Sequence, residues 1–215
     1  MIKKSSGLDK LAEAVKKLKN SKVRNLIDAR VKEFIENRNK PIDEIFKELC
    51  FCLLTANFSA ERSLRIQEEI GDGFLTLSEN ELAEKLRELG HRYPKSRAKY
   101  IVKARKMVFQ LENVLHSSLS ERALRDWLVK NVVGLGYKEA SHFLRNIGFM
   151  NLAIIDIHVI DILSRYGVIR KPRTLTKRKY MKIEEVLNKI AEKIGLSLGV
   201  LDLYLWYMET GKVLK

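Results

Sequence analysis

Apolar residues recur along most of this chain at the three-and-four spacing that lines one face of a helix. Leu8, Leu11, Val15 and Leu18 form a first stripe, and Ile27, Val31, Phe34 and Ile35 a second over residues 23–36. Pro41 and Asp43 open a stretch, EIFKELCFCLLTA, that is apolar almost all round. A helix without a polar face is enclosed by others, so this one is predicted to be central. Ser59 and Gly71 bracket the next helix, and Ser78 with Glu81 matches a capping box for a helix ending near Gly90. Pro94 suits a first helical turn, and one helix is predicted through KSRAKYIVKARKMVFQL. Ser118 and Glu121 match a second capping box ahead of RALRDWLVKNV. After a glycine-containing turn, one helix should stop at Gly148 and another should run from about Ile157 to Tyr166. The last two should occupy 178–194 and 198–210, with Gly211 as a terminator. GVIRKPRTLTKRKYMK reads as a basic loop between helices. No stretch keeps the period of two that a half-buried strand needs. The predicted class is all-α, with about ten or more helices in one domain over 1–215, built of two interleaved subdomains flanking a cleft.

Composition narrows the range of functions. A chain of 215 residues that is 46% hydrophobic can bury a sizeable core, while only 11 glycines and 3 prolines disfavour a β-sandwich or a long disordered tail. A lysine-rich surface of the thermophilic kind would be balanced in sign; 41 basic against 27 acidic residues, a net +14, is not. That excess favours a polyanion, nucleic acid ahead of an anionic membrane surface. The basic stretches PKSRAKYIVKARK and RKPRTLTKRKYMK are candidate phosphate contacts. No apolar run approaches the roughly 18 residues that a membrane span needs. The opening MIKKSSGLDKLAEAVKK lacks the apolar core of a leader. Cys50 and Cys52 lie two apart, where helical side chains diverge and cannot be bridged. They read as buried thiols of a reducing, cytoplasmic compartment, with the nucleoid as the place of action. Two cysteines cannot complete a four-cysteine zinc or iron–sulfur site.

The candidate chemistry lies in RDWLVKNVVGLGYKEASHFLRNIG. Leu124, Leu128 and Val132 mark one helix, and Ala140, Phe143, Leu144 and Ile147 the apolar face of a second. Between them, Gly134 and Gly136 permit backbone angles closed to other residues and let a phosphate approach the N–H groups that open the second helix. Leu135, between the glycines, would plug the hairpin. Such a hairpin grips DNA backbone without reading sequence; an ordinary turn between helices is the alternative. Lys138 falls in the first turn of the second helix, an unfavourable place for a cation because the helix dipole favours anions there. The same potential would leave more unprotonated amine, a nucleophile able to form a Schiff base with a sugar carbon; a phosphate contact is the plainer role. Asp156, eighteen residues on, reads first as the N-cap of the next helix. A capping carboxylate is also rigid and ionised, as one that steadies positive charge on a sugar should be.

GLGYKEAS followed by IDIHV resembles the helix-hairpin-helix superfamily of DNA base-excision glycosylases. The match is strongest over about residues 121–166, with 121–148 as the hairpin and 149–166 as the segment carrying the aspartate. The resemblance implies that Lys138 is the catalytic lysine and Asp156 the catalytic aspartate. It implies a bifunctional glycosylase and AP lyase acting on duplex DNA with a damaged base, with the hairpin residues Gly134, Leu135 and Gly136 on the DNA backbone. The absence of a C-terminal cysteine cluster and the ending LDLYLWYMETGKVLK look like the archaeal-type 8-oxoguanine DNA glycosylases. In that subfamily Trp206 would stack on the extruded base and the terminal carboxylate of Lys215 would accept its N–H groups. In LLTANFSAERS, Asn57 or, in its place, Phe58 would fill the gap left by the extruded nucleotide; the alternative is that Asn57 simply ends one helix. His158 matches a position near the DNA, but by itself reads as a core histidine. No cofactor is required and no iron–sulfur cluster is expected; a monovalent cation at the hairpin is left open. A monomer is expected. The residues also leave open another lesion, such as an oxidised pyrimidine, or a non-catalytic DNA-binding module.

Overall fold

The computed structural model describes residues 6–215; the first five residues of the stretch read above as lacking a leader's apolar core lie outside the described residues. Among the described residues there are thirteen helices and no strand. In chain order these are α1 (Gly7–Lys19), α2 (Val23–Asn37), α3 (Ile42–Thr55), α4 (Ala60–Ile70), α5 (Gly73–Thr76), α6 (Glu79–Glu88) and α7 (Pro94–Arg105). There follow α8 (Val108–Leu115), α9 (Glu121–Asn131), α10 (Tyr137–Asn146), α11 (Ile157–Arg165), α12 (Lys177–Ile194) and α13 (Leu198–Thr210). They form two compact units, and the division falls inside α2. One unit is Ile35–Gly148; the other joins the chain up to Phe34 with Phe149–Lys215.

The Ile35–Gly148 unit is built round α3. Every residue from Leu49 to Thr55 is buried, as its unbroken apolar surface requires, and α4, α5, α7, α8 and α10 pack against it. Cys50 and Cys52 are buried there, and burial pushes the Cys50 thiol well above its ordinary pKa. Burial makes hydrogen-bond partners necessary, and a set of polar side chains at this core supplies them to one another. Glu48 accepts from Gln67 at 3.2 Å and from Asn146 at 3.3 Å, and Asn37 Nδ2 donates to the Asn146 carbonyl at 2.9 Å.

In the other unit α1 packs on α12 and α13, and α11 and α12 pack on α13. The Lys19 ammonium donates to the Ile194 carbonyl at 2.9 Å, and Lys193 pairs with Asp9. Gly195 ends α12 in the left-handed region at φ +65°, and Gly211 ends α13 at +68°.

Four details depart from the sequence pattern. The helix expected through KSRAKYIVKARKMVFQL is two, parted by a turn at Lys106 and Met107. No glycine or proline marks the break. Arg105 fixes the end of α7 by donating from Nε to Phe74 and from Nη1 to Leu77, 2.8 Å each, at the short α5 that the pattern did not reveal. The Ser118–Glu121 capping box does not form. Ser117 is committed to the turn closing α8, donating to the Val114 carbonyl at 2.6 Å, and Ser120 caps α9 instead, accepting from Ala123 N–H at 3.3 Å. Glu121 is therefore the first residue of α9, too early to reach back. Ile35 is 53% exposed, so the second stripe is narrower than its spacing suggested. The end of the basic loop is helical, since Thr176 caps α12 by accepting from Lys179 N–H.

Candidate active site

The hairpin begins where α9 gives out. Val132 takes an extended backbone, its N–H still donating to Leu128, and Leu135 N–H donates back to the Val132 carbonyl at 3.2 Å. Gly134 has φ +89°, so here the turn does need glycine. It also needs the space: a Cβ at this position would lie 2.3 Å from the Tyr100 ring. Gly136 corrects the expectation for the second glycine. Its φ of −94° is open to any residue, and what a Cβ would meet is the Glu139 carboxylate at 2.9 Å. Leu135 is buried, as a plug should be, and so are Ala140, Phe143, Leu144 and Ile147.

Lys138 is the second residue of α10, with its side chain 24% exposed and its Nζ 3.7 Å from Glu139 Oε1. The other oxygen of Glu139 accepts from Gly136 N–H at 3.3 Å, the half of a capping box that a glycine at the N-cap can make. One carboxylate therefore meets both the hairpin backbone and the amine. It satisfies an N–H that the helix leaves over and sets a counter-charge beside the ammonium. The two helices are tied by Tyr137, whose hydroxyl donates to Asp126 at 2.6 Å. The buried Arg125 lies over the Tyr137 ring and donates to Ser141 at 3.2 Å. In the same unit, Asn57 ends α3 at φ +57° and is exposed, while the Phe58 ring is held against His91 with centroids 4.2 Å apart.

The Phe149–Lys215 segment carries the other candidates. Residues 152–155 lie outside any helix and are buried, so their backbone groups need partners. Glu184 accepts from Ala153 N–H at 3.0 Å; the Tyr180 hydroxyl donates to the Ala153 carbonyl at 2.7 Å and accepts from Ile155 N–H at 3.3 Å. This frame delivers Asp156 to the start of α11, where it is the N-cap and accepts from Val159 N–H at 2.9 Å. His158 is half-buried rather than a core residue, and its ring stands edge-on to Trp206 with centroids 5.2 Å apart. The Trp206 Nε1 is buried without a hydrogen-bond partner, and Lys215 is half-buried. Among the described residues no group of three or more His, Cys, Asp or Glu side chains could hold a metal ion, and no helix is long and apolar enough to cross a membrane.

A family model described as 8-oxoguanine DNA glycosylase matches residues 27–196. The chain belongs to the 8-oxoguanine DNA glycosylase family. An 8-oxoguanine DNA glycosylase/AP lyase of Korarchaeum cryptofilum is 58% identical over 210 residues, 97% of this chain and 100% of the relative. The crystal structure of a Methanocaldococcus jannaschii 8-oxoguanine glycosylase/lyase, in complex with 15mer DNA containing 8-oxoguanine, superposes with a TM-score of 0.92 at 51% identity. It covers 95% of this chain and 99% of its own. The 8-oxoguanine DNA glycosylase of Thermotoga maritima gives a TM-score of 0.90 at 44% identity, covering 97% and 100%.

Within this family member, several residues that hold the candidate residues of each unit escaped the sequence reading. Glu184 and Tyr180 share the buried stripe of α12 with Ile183 and Leu187, and a glutamate in such a stripe is itself a signal of a satisfied carboxylate. Glu139 could have been found as the residue three past Gly136, the capping-box spacing. Tyr100, His91 and Arg97 carry no local signal, because the backbone they support, at Gly134, Leu54 and Ala56, is distant in sequence.

Proposed function

We propose that this chain is a bifunctional DNA base-excision enzyme that removes 8-oxoguanine from duplex DNA and nicks the strand at the resulting site. What carries the reading is Lys138: an amine in the first turn of α10, two residues past the glycine hairpin and beside the Glu139 carboxylate that also caps that turn. Family membership supports both the lesion and the lyase step.

In this reading Gly134, Leu135 and Gly136 hold the DNA backbone and Lys138 supplies the nucleophile. Its nitrogen, having lost a proton, bonds to C1′ of the extruded nucleotide as the N-glycosidic bond breaks, and the bond's electron pair leaves with the base, which takes up a proton. The sugar ring then opens, the C1′–O4′ electrons go to oxygen, and a protonated Schiff base forms. Loss of a C2′ proton expels the 3′ phosphate, and hydrolysis of the imine returns the lysine. The Asp156 carboxylate offsets the positive charge that develops on the sugar. Trp206 stacks on the base and the Lys215 carboxylate accepts from it, while Asn57 occupies the gap in the duplex, with Phe58 behind it. The scheme calls for no cofactor. The proposed enzyme acts as a monomer on nucleoid DNA.

Borohydride trapping on lesion-bearing duplexes tests the reading. A covalent adduct with 8-oxoguanine DNA should form and should vanish in Lys138→Gln, with excision slowed by at least about a thousandfold. Asp156→Asn, which still caps α11, should slow base release far more than it weakens DNA binding. An adduct formed only on oxidised pyrimidines would overturn the lesion assignment, and binding without any adduct would overturn the chemistry.

A further inference from the structure

Among the described residues, Asn57 is the one non-glycine residue with positive φ. Asparagine tolerates that region better than other side chains do, and here a dense set of contacts fixes the turn around it. The groups that do so converge from one short segment, 91–97. His91 Nε2 lies 3.1 Å from the Leu54 carbonyl, and its Nδ1 accepts from Tyr93 N–H at 3.0 Å. Those two contacts fix the ring as the neutral form with its hydrogen on Nε2. The ring also lies against Phe58, whose other contact is the Arg62 guanidinium, 4.8 Å from the ring centre. Arg62 is tied in turn to the Gly90 carbonyl at 2.7 Å. Arg97 is buried and donates to the carbonyl of Ala56, the residue before Asn57, at 2.5 Å.

The same segment reaches the hairpin. The Arg97 guanidinium lies 5.7 Å from the centres of both the Tyr93 and Tyr100 rings. Tyr100 fills the space over Gly134 that any side chain there would need. Burial holds the Arg97 pKa below its usual value, and the nearby Glu139 carboxylate acts against that shift. The Asn57 turn and the Gly134 turn, 77 residues apart in sequence by subtraction, are thus braced by the two ends of one stretch, His91 to Tyr100.

We propose that His91 and Arg97 are positioning residues that hold the exposed Asn57 at a fixed place relative to the glycine hairpin, so that gripping the backbone and filling the emptied base position occur as one event. This rests on the reading of Asn57 as the gap-filling residue. It assigns no contact with substrate to either residue. Their effect should be confined to substrates whose base must be driven out of the stack.

The test compares single-turnover rates on two duplexes, one with 8-oxoguanine opposite cytosine and one with a preformed abasic site, which has no base to extrude. His91→Gln and Arg97→Met should lower the ratio of the 8-oxoguanine rate to the abasic rate at least tenfold. Arg97→Lys, which keeps a cationic donor, should recover most of that ratio. Melting temperatures are measured on the same samples, and because the readout is a ratio, a fall in active fraction cancels. Equal losses on both duplexes, or no loss on either, would overturn the proposal. Asn57→Gly is measured alongside and should lower the 8-oxoguanine rate. If it does, while the His91 and Arg97 variants keep the wild-type ratio, the positioning inference fails alone. If Asn57→Gly excises at the wild-type rate, the gap-filling reading fails and takes this inference with it.

Discussion

Two turns in the Ile35–Gly148 unit each place one residue in the left-handed region, Gly134 at φ +89° and Asn57 at +57°, and they reach it by opposite means. At 134 the residue consents. Glycine has no Cβ to clash, and the Tyr100 ring then packs into the space left open. At 57 the residue tolerates the angle without demanding it, and the chain around it is held by Arg97 on the Ala56 carbonyl, His91 at the Leu54 carbonyl, and a His91–Phe58–Arg62 stack. The first turn is specified where it stands. The second is specified from some forty residues away, by side chains that need a folded unit to reach it. A turn that must present an asparagine side chain cannot use glycine at that position, and contacts from elsewhere in the unit hold the turn in place.

The contrast can be broken most forcefully at Gly134. Gly134→Ala adds the cost of a left-handed alanine to a collision with Tyr100, together about 2–4 kcal/mol, and should lower the melting temperature by roughly 5–10 °C. DNA affinity should fall with it. Gly136→Ala is the control, because φ there is −94° and only the end of Glu139 must move; its cost should stay below about 1 kcal/mol. A thermal melt of both variants decides whether the two glycines differ as the backbone says.

A smaller effect is expected at 57, with a different sign of information. Asn57→Ala should cost about 1 kcal/mol, since alanine tolerates the left-handed region less well than asparagine. Asn57→Gly should change stability by less than about half a kcal/mol, because relief of strain is offset by the freer unfolded chain. Denaturant titration of the pair separates what the backbone needs from what the asparagine side chain contributes to excision. If glycine stabilised the fold by well over 1 kcal/mol, the turn would be strained rather than well held.

The smallest effect concerns pH. Burial holds the His91 imidazole below its ordinary pKa of about 6.5, and the nearby Arg97 and Arg62 charges push in the same direction, while the Leu54 carbonyl opposes them. Between the lowered folded value and 6.5, the unfolded chain binds a proton that the folded chain refuses. Stability should therefore decline as pH falls through 6.5, and His91→Gln should remove that part of the decline. Asp9 acts in a separate window. Lys193 and Ser6 lower its pKa to about 2, so the stability it lends is present above its unfolded value near 4 and is lost between there and pH 2. Melts at pH 7, 5.5 and 3 keep the two apart.

Much of the fold was legible because its signals are local. The all-round apolar face of α3 announced a central helix, and it is central. Ser59 with Gly71, the Ser78–Glu81 box and the last two helices fell where caps and spacing put them. The errors have local causes too. Three serines crowd residues 117–120, and which of them caps α9 depends on the turn that closes α8. The break between α7 and α8 has no punctuating residue; it is set where Arg105 finds two carbonyls near α5. Among the candidate residues, the Gly-Leu-Gly turn, the place of Lys138 in the first turn of α10 and the Asp156 cap were readable from spacing. The frame that holds them was not.

What the sequence alone determined is whatever a residue decides with its near neighbours: the helix periods, the caps, the hairpin, the basic excess, and an amine two residues past a glycine turn. The tertiary structure decided which distant groups meet. Tyr180 and Glu184 hold the segment before Asp156, Tyr100 fills the space over Gly134, and His91 with Arg97 holds the backbone just before Asn57. The reason is that buried backbone groups and strained angles must be satisfied by some partner, but chemistry does not say how far along the chain that partner lies.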